Sequence, residues 1–284
     1  MGGISYLTLS VLFSFIIAMT MKVANTRHFK LGQILALNYI VCCLSLLIQG
    51  NWQIHKFGSP TVWALGVSIG ILFVLSLWLY DRAIAATGLA LSTTLMRLSA
   101  AIPTLTSILV FSEKASILQT VGLVLAFACL PLANKEPLRL RQMGTDILGG
   151  MHWGLLLFIA AGVTDFGFKL QVELEPDADP NGFMMLIFAT ALMLTLPQLF
   201  KGPRPSKQCM MWGFTLGVSN VLTTLFKILA LAIVPGAIAF PTMGVGVIAL
   251  TVVASLFIWK EELRPANYLF LILGGLAVFL INLG

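Results

Sequence analysis

The strongest constraint on this chain is a series of apolar runs, each long enough to cross a bilayer as a helix. A membrane-spanning helix needs about 20 mainly apolar residues to cross a hydrocarbon core about 30 Å thick. The runs do not alternate between apolar and polar residues, so they predict helices and not the strands of a barrel. Of the 284 residues, 58% are hydrophobic and 10% are charged, whereas a soluble domain carries roughly 25% charge. We therefore expect an all-α integral membrane protein.

Ten such runs are present, and the connections between them are short. Backbone groups inside hydrocarbon need partners within the protein, and a helix supplies them within one segment. Since no connection is long enough for a soluble domain, we expect ten transmembrane helices and nothing else. The predicted spans cover residues 3–22, 31–49, 61–80, 88–111, 116–133, 149–169, 182–200, 209–232, 236–259 and 266–283.

Lysine and arginine are distributed unevenly between the two sets of loops that ten spans create. Twelve of the 17 basic residues fall on one face, three fall on the other, and Arg97 and Lys227 fall inside spans. Basic residues in short loops mark the cytoplasmic side. We therefore expect a multi-pass protein of the cytoplasmic membrane with both termini outside. Nucleic acid is not an expected partner, because no stripe of alternating basic and aromatic residues is present.

The two halves of the chain resemble each other at an offset of 147 or 148 residues. We therefore expect two five-helix repeats, residues 1–134 and 149–284. Because five is odd, the second repeat would enter the membrane from the opposite side, which is a common plan among secondary transporters. Duplication of a scaffold that does not transport is the alternative. The matching residues are Gly66 and Gly70 with Gly213 and Gly217, Lys22 with Lys169, and Gly88 and Glu113 with Gly236 and Glu261.

The fourth and fifth helices of each half carry a recurring pattern of glycine and glutamate. The segments "AATGLALSTTLMRLSAAIPTLTSILVFSEKASILQTVGLVLAFA" and "VPGAIAFPTMGVGVIALTVVASLFIWKEELRPANYLFLILGGLAVFL" resemble those of the drug/metabolite transporter superfamily, EamA-like branch. The resemblance covers almost the whole chain. It implies a ten-helix secondary carrier for small metabolites, with a central cavity and alternating access, and not an enzyme. The chain departs from the family at "LALNYIVC", where an arginine is frequent, and at Arg97, where the family residue is usually apolar or small.

Arg97 is the least expected residue within the spans, because a charge at mid-bilayer costs at least about 2.5–3.5 kcal/mol. It lies nine residues past Gly88, which is about 13 Å along a helix. We therefore expect Arg97 to face the bundle interior or a wet cavity. There its planar fork could bind a carboxylate or phosphate of the substrate. The alternative is a structural arginine that holds helix-end carbonyls or a buried acid.

Other polar residues inside the spans are candidates for substrate binding or for coupling. Asn38 and Asn220 could hydrogen-bond either a substrate or a neighbouring helix. Lys227 could line a cavity or extend outwards to the membrane surface. Asp165 and Lys169 are four residues apart, so they share a helix face. Either Asp165 binds a coupling proton or the two residues form a local ion pair. The expected partners are a small-molecule substrate, the lipid bilayer and a proton or another coupling ion.

Glycine, proline and glutamate mark places where helices approach, bend or turn. The pairs Gly66/Gly70 and Gly213/Gly217 have the small-xxx-small spacing that permits close contact, for packing or for sliding during transport. Pro103 should interrupt the helix hydrogen-bond ladder or form a packing kink. A structural or gating role is expected for the glutamates at turns, which are Glu113, Glu261 and Glu262.

The usual signatures of an enzyme or a channel are missing from the sequence. It contains no HExxH, no GxSxG, no carbonyl filter and no ring of acidic residues. The four cysteines lie in or beside apolar runs, so they predict core residues and neither a metal site nor disulfides. We expect no cofactor. A secondary carrier for a small polar metabolite, anionic ones included, is favoured. A channel or a non-transport scaffold is the alternative, and a membrane-embedded enzyme is less favoured. Substrate, direction, coupling ion and oligomeric state are left open.

Overall fold

The computed structural model describes residues 2–27, 29–49, 59–87, 89–133, 145–201, 203–258 and 265–283. Within these ranges the secondary structure is helical, with no strand. Gly88, Glu261, Glu262 and the basic loop 134–144 lie outside the described residues. The helices are α1 (Gly3–Thr26), α2 (Leu31–Gln49), α3 (Pro60–Thr87), α4 (Leu89–Leu98), α5 (Ala101–Leu109), α6 (Ile117–Cys129), α7 (Thr145–Leu174), α8 (Pro180–Thr195), α9 (Lys207–Leu231), α10 (Gly236–Ile258) and α11 (Pro265–Leu283).

Eight of these helices are long and apolar enough to cross a membrane. They are α1, α2, α3, α7, α9, α10, α11, and α8 together with the 3-10 turns Leu196–Phe200 that continue it. The apolar helices at the predicted fourth and fifth spans are shorter, and they cover Leu95–Leu109 and Ile117–Leu132. The expectation of a helical multi-pass membrane protein is therefore confirmed, with eight of the predicted spans reaching full length.

The predicted fourth span is not one continuous helix. A turn at Ser99 and Ala100 separates α4 from α5. Pro103 lacks the N–H that would donate to the Ser99 carbonyl four residues back. The Ile102 N–H donates to that carbonyl instead, at 3.0 Å. The backbone hydrogen bond there spans three residues in place of four. The helix is therefore interrupted at Ser99 and Ala100, ahead of Pro103, which is one of the two effects that the sequence allowed for this proline. The break begins two residues after Arg97.

The sixth predicted span, 149–169, is too short at both ends, because α7 covers Thr145–Leu174. Gln171, which the sequence placed in a loop, remains helical, and its Nε2 donates to the carbonyl of Glu175 at 3.2 Å. This bond satisfies one of the carbonyls that a helix leaves open at its end. Asp179 then caps α8 by accepting two backbone N–H bonds. Side-chain capping at both ends therefore shortens the acidic loop.

Two compact units make up the chain. The first contains Met1–Val74 and Leu170–Ile233, and the second contains Leu75–Lys169 and Val234–Gly284. Each unit includes helices from both predicted repeats, so compact units and sequence repeats divide the chain differently. In the first unit, α9 packs on α1 and α2, and α2 also packs on α8. In the second unit, α11 packs along α6, and α10 packs against α5 and α11.

The second unit has an apolar core that forms where α6, α10 and α11 meet. Its side chains are buried and come from helices that are far apart in sequence, so burial of apolar area holds the unit together. The members of this core include Leu123, Ala126, Cys129, Val245, Val252, Phe270, Ala277 and Ile281. The four cysteines are buried, as the sequence predicted.

In the first unit, α1 runs antiparallel to α9. Ser10 Oγ of α1 donates to the carbonyl of Thr223 at 3.3 Å. Near the other ends of these helices, Arg27 Nη1 donates to Gln208 Oε1 at 2.7 Å. Early residues of α1 therefore lie beside late residues of α9.

The same unit contains α2 and α8, which also run antiparallel to each other. Gly32, at the start of α2, lies against Gln198, which follows the end of α8. Farther along α2, the Tyr39 ring lies 6.3 Å from the Phe188 ring between centroids. These two helices are the second helices of the two predicted repeats, and they run in opposite directions.

Candidate functional site

The first glycine of each predicted pair lies where two helices of the first unit approach closely. A Cβ added to Gly66 of α3 would lie 2.7 Å from Leu186 Cβ of α8. A Cβ added to Gly213 of α9 would lie 2.7 Å from Leu37 Cβ of α2. Real Cβ atoms essentially never approach closer than 3.0 Å. Neither position can therefore accept a side chain unless its neighbour moves.

The second glycine of each pair lies against backbone. A Cβ added to Gly70 would lie 2.6 Å from the carbonyl oxygen of Ile187, and one added to Gly217 would lie 2.7 Å from that of Asn38. A backbone oxygen in a helix cannot swing away as a side chain can. The contact of α3 with α8 thus repeats the contact of α9 with α2, with the roles of the two halves exchanged.

Asn38 and Asn220, both predicted from sequence, are brought together in the first unit. Asn220 Nδ2 donates to Asn38 Oδ1 at 3.3 Å, and Asn38 is buried. The Cys42 thiol lies 3.8 Å from the same oxygen and donates to the carbonyl of Gly217 at 3.4 Å. The two asparagines therefore connect α2 with α9, which was one of the two roles that the sequence allowed.

Lys227 lies on α9 in the same unit and is half-buried. Its neighbour Phe226 stacks on Tyr6 and Phe13 of α1, with ring centroids 6.2 Å and 5.9 Å apart. This aromatic packing fixes the last part of α9 against α1. The position of Lys227 along α9 is thereby fixed as well.

Arg97 lies in the last turn of α4, directly before the break that separates it from α5. The residue is half-buried. Its guanidinium lies within electrostatic range of the Asp165 carboxyl group on α7. A helix C-terminus also favours a cation, because its last carbonyls carry partial negative charge. The structure thus places two of the predicted residues, Arg97 and Asp165, within electrostatic reach of each other.

Two glycines of α7 allow this approach. Gly154 faces Leu95 of α4, and Gly162 faces Ile102 of α5. An added Cβ would meet a side-chain atom of its neighbour in both places, so α7 lies close along the broken helix. The order of the contacts shows that α7 runs in the same direction as α4 and α5. Asp165 follows Gly162 by about one turn.

Lys169 of α7 forms a buried ion pair with Glu113 in the segment between α5 and α6. Its Nζ lies 2.7 Å from Glu113 Oε1, and the side chains are 3% and 13% exposed. The Lys169 ammonium also lies 5.7 Å from the centre of the Phe111 ring. Ser112, between Phe111 and Glu113, has a φ of 56°, a conformation that few non-glycine residues adopt. The turn that presents Glu113 is therefore strained.

Glu113 also caps α10. Its Oε1 accepts the N–H of Gly236 and its Oε2 accepts the N–H of Ala237, both at 2.9 Å. A carboxylate at a helix N-terminus meets both free N–H groups and the positive end of the helix dipole. The sequence predicted a structural or gating role for Glu113 but not this partner. The internal repeat did single out both members of this ion pair, since Glu113 and Lys169 are among its matched residues.

Metal-ligating side chains do not cluster in the described part of the chain. Among those residues, no group of three or more His, Cys, Asp or Glu could hold a metal ion. The polar groups predicted from sequence lie instead in the hydrogen bond between asparagines in the first unit and among the charged groups around α7 in the second. Those charged groups carry the chemistry available for binding a polar molecule.

Comparison with known proteins shows that this chain shares its fold with a solved structure. No family model matches the sequence. An uncharacterized protein of Haemophilus influenzae is 26% identical over 286 residues, covering 96% of both chains. A solved crystal structure matches with a TM-score of 0.78 and 13% sequence identity, covering 98% of this chain and 97% of that one. At that identity, the likeness shows that the two chains share a fold.

Proposed function

We propose that the chain is a secondary active transporter that moves a small polar metabolite, anionic ones included, by alternating access. Two five-helix repeats inserted in opposite directions would form it, as in the drug/metabolite transporter superfamily that the sequence resembles. The observation that carries the proposal is the antiparallel packing of α2 and α8 through Gly32 with Gln198 and Tyr39 with Phe188. Corresponding helices that run in opposite directions are what an inverted repeat requires.

The mirrored glycine contacts support the same arrangement. A Cβ added at Gly66 would lie as far from Leu186 Cβ as one added at Gly213 would lie from Leu37 Cβ, 2.7 Å in both cases. Helix three of each half thus packs on helix two of the other, as a pseudo-two-fold axis would require. An odd number of helices in each repeat favours an axis in the membrane plane, because the second copy then starts from the opposite side.

Arg97 is the proposed contact for an anionic group of the substrate. It lies at an interruption in the predicted fourth span, and broken helices are where many transporters bind substrate near mid-membrane. Its guanidinium can bind a carboxylate or phosphate through two parallel hydrogen bonds. Asp165 and Lys169, on the same face of α7, are the proposed coupling groups. Asp165 is the candidate for binding the coupling proton, because it lies within electrostatic reach of Arg97.

Thermal-shift measurements on the purified protein, with a panel of metabolites, should find a ligand, because binding to the folded state raises its melting temperature. The ligand found in this way is then tested for counterflow in liposomes. A carrier exchanges labelled for unlabelled ligand, while a channel, a scaffold or an enzyme does not. Ligand binding without counterflow would contradict the proposal.

The orientation with both termini outside is tested separately. Single cysteines are placed in "LRLRQ" and "ELEPDAD" of a variant without the native cysteines, which are buried. The distribution of basic residues predicts that a membrane-impermeant reagent labels the second site in intact cells and leaves the first unlabelled. The opposite labelling would reverse the proposed topology.

A further inference from the structure

The structure holds a second candidate binding site, which is unrelated to the charged groups around Arg97. The Arg82 guanidinium, on α3, lies 5.1 Å from the centre of the Trp78 ring and 5.8 Å from that of Trp153 on α7. The two indoles meet edge to face with centroids 5.5 Å apart. His152 packs on Trp153 at 4.7 Å. Two tryptophans on different helices therefore hold one arginine.

This cluster lies at the level of the membrane surface. Arg82 is near the end of the candidate span Pro60–Ile84, and Trp153 is near the start of the candidate span Met151–Leu174. Tryptophan is enriched at that level, because its ring is apolar while its N–H is polar. Trp78 is 47% exposed, and Arg82 and His152 are exposed as well. The cluster thus faces outward, where lipid headgroups lie.

The chemistry of Arg82 suits a phosphate. An aromatic face attracts the guanidinium through its charge and uses none of its N–H groups. In the described part of the chain, no hydrogen bond or ion pair occupies those N–H groups. Asp81 is the adjacent residue, and side chains at adjacent helix positions do not face each other. The arginine is therefore held in place while its hydrogen-bond donors remain available.

We propose that Arg82, Trp78 and Trp153 bind the phosphate of an anionic phospholipid. The loops predicted on this face carry most of the basic residues, which places the cluster on the cytoplasmic side. That leaflet supplies anionic lipid headgroups. The guanidinium bonds the phosphate oxygens, and the acyl chains lie along the apolar surface below, where Leu156 of α7 and Leu75 of α3 are exposed. This site rests on the proposed orientation in the membrane and does not depend on transport.

Native mass spectrometry of the delipidated full chain, titrated with phosphatidylglycerol, tests this site. Phosphatidylcholine with the same acyl chains is the neutral control. We expect Arg82→Gln to weaken phosphatidylglycerol binding about tenfold, the loss of one charge-assisted contact, and to leave phosphatidylcholine unchanged. Arg204→Gln is the matched variant, because Arg204 is an exposed arginine with no aromatic contact among the described residues. It should bind phosphatidylglycerol as the native protein does.

Other results would overturn the proposal. Unchanged binding by Arg82→Gln, or equal weakening by Arg204→Gln, would mean that the cluster is not the site. Inorganic phosphate that displaced the lipid or raised the melting temperature as much as phosphatidylglycerol would indicate a site for free anions. If Arg82→Gln does not fold, Arg82→Lys replaces it. Lysine keeps the charge but lacks the planar fork, so several-fold weaker binding is expected, and native binding would refute the site.

Discussion

The two compact units connect their helices by different polar chemistry. In the first unit, Asn220 and Asn38 form a neutral hydrogen bond between α9 and α2. In the second, a buried ion pair joins Lys169 of α7 to Glu113, which also caps α10. Both contacts lie among apolar helices.

The difference lies in what each contact costs when it is broken. Neutral hydrogen bonds between membrane helices contribute about 0.6 kcal/mol on average, because unfolded helices in the membrane find other partners. Breaking a buried ion pair leaves a charge unpaired and costs about 3–5 kcal/mol. The first unit can therefore lose the asparagine bond at little cost. Because buried charges are costly, we expect the charged groups of the second unit to serve either the structure or the function of the protein.

Arg97→Ala should have the largest effect on transport, because it removes the proposed contact with the anionic group of the substrate. It tests whether charge in the second unit serves transport. Loss of two charge-assisted hydrogen bonds to an anion predicts roughly 100-fold weaker binding. Uptake of the ligand found by thermal shift should then fall to background in liposomes. Arg204→Ala is the control and should transport normally. Full transport by Arg97→Ala would remove Arg97 from the site, and loss of the folded protein would indicate a structural arginine.

Lys169→Met should be the most destabilising single change among those proposed. It leaves the Glu113 carboxylate buried without its cation, at a cost of about 3 kcal/mol. Urea or thermal unfolding in detergent measures the change. The double variant Lys169→Met/Glu113→Gln removes both charges and keeps an oxygen for the α10 N-terminus, so it should recover much of the loss. No recovery would show that the ion pair is not the source of the effect.

Gly70→Ala and Gly217→Ala test the mirrored contacts of the first unit. Each new methyl group would meet a backbone carbonyl oxygen, and overpacking of this kind costs about 1–3 kcal/mol. We expect similar losses of stability at both sites. Gly275→Ala is the control, since nothing lies within 4 Å of a Cβ there. Opposite effects at Gly70 and Gly217 would argue against the pseudo-symmetry.

Asn220→Ala should have the smallest effect, a loss of about 0.6 kcal/mol and at most about 1.7 kcal/mol. Transport that persists in this variant would agree with a packing role for the asparagine bond. If Asn220→Ala instead abolished transport at unchanged stability, the first unit would also contribute to substrate binding. A loss of stability as large as that of Lys169→Met would remove the contrast between the units.

Much of the fold could be predicted from local sequence, and the errors have local causes. Apolar runs located most helices within a few residues. α7 continues past 169 because Gln171 caps it through Glu175, a bond that hydropathy does not detect. The fourth span divides because Pro103 removes one donor, an interruption that the sequence indicated without fixing where the turn would lie.

The candidate site was less predictable, because its partners are far apart in sequence. Arg97 and Asp165 were both recognised as unusual charges, yet nothing in the sequence placed them near each other. Glu113 was assigned to a turn, while its bonds to Lys169 and to the start of α10 depend on the relative positions of several helices. The cluster of Arg82 with Trp153 was missed for the same reason.

Sequence alone determined that this chain forms apolar helices in a membrane, because the length and composition of a run decide whether it can satisfy its backbone in hydrocarbon. Tertiary structure alone decided which polar groups meet. Asn38 and Asn220 are 182 residues apart, and their contact depends on glycines that allow two helices to approach. Such contacts follow from helix register and direction, which no single run of residues encodes.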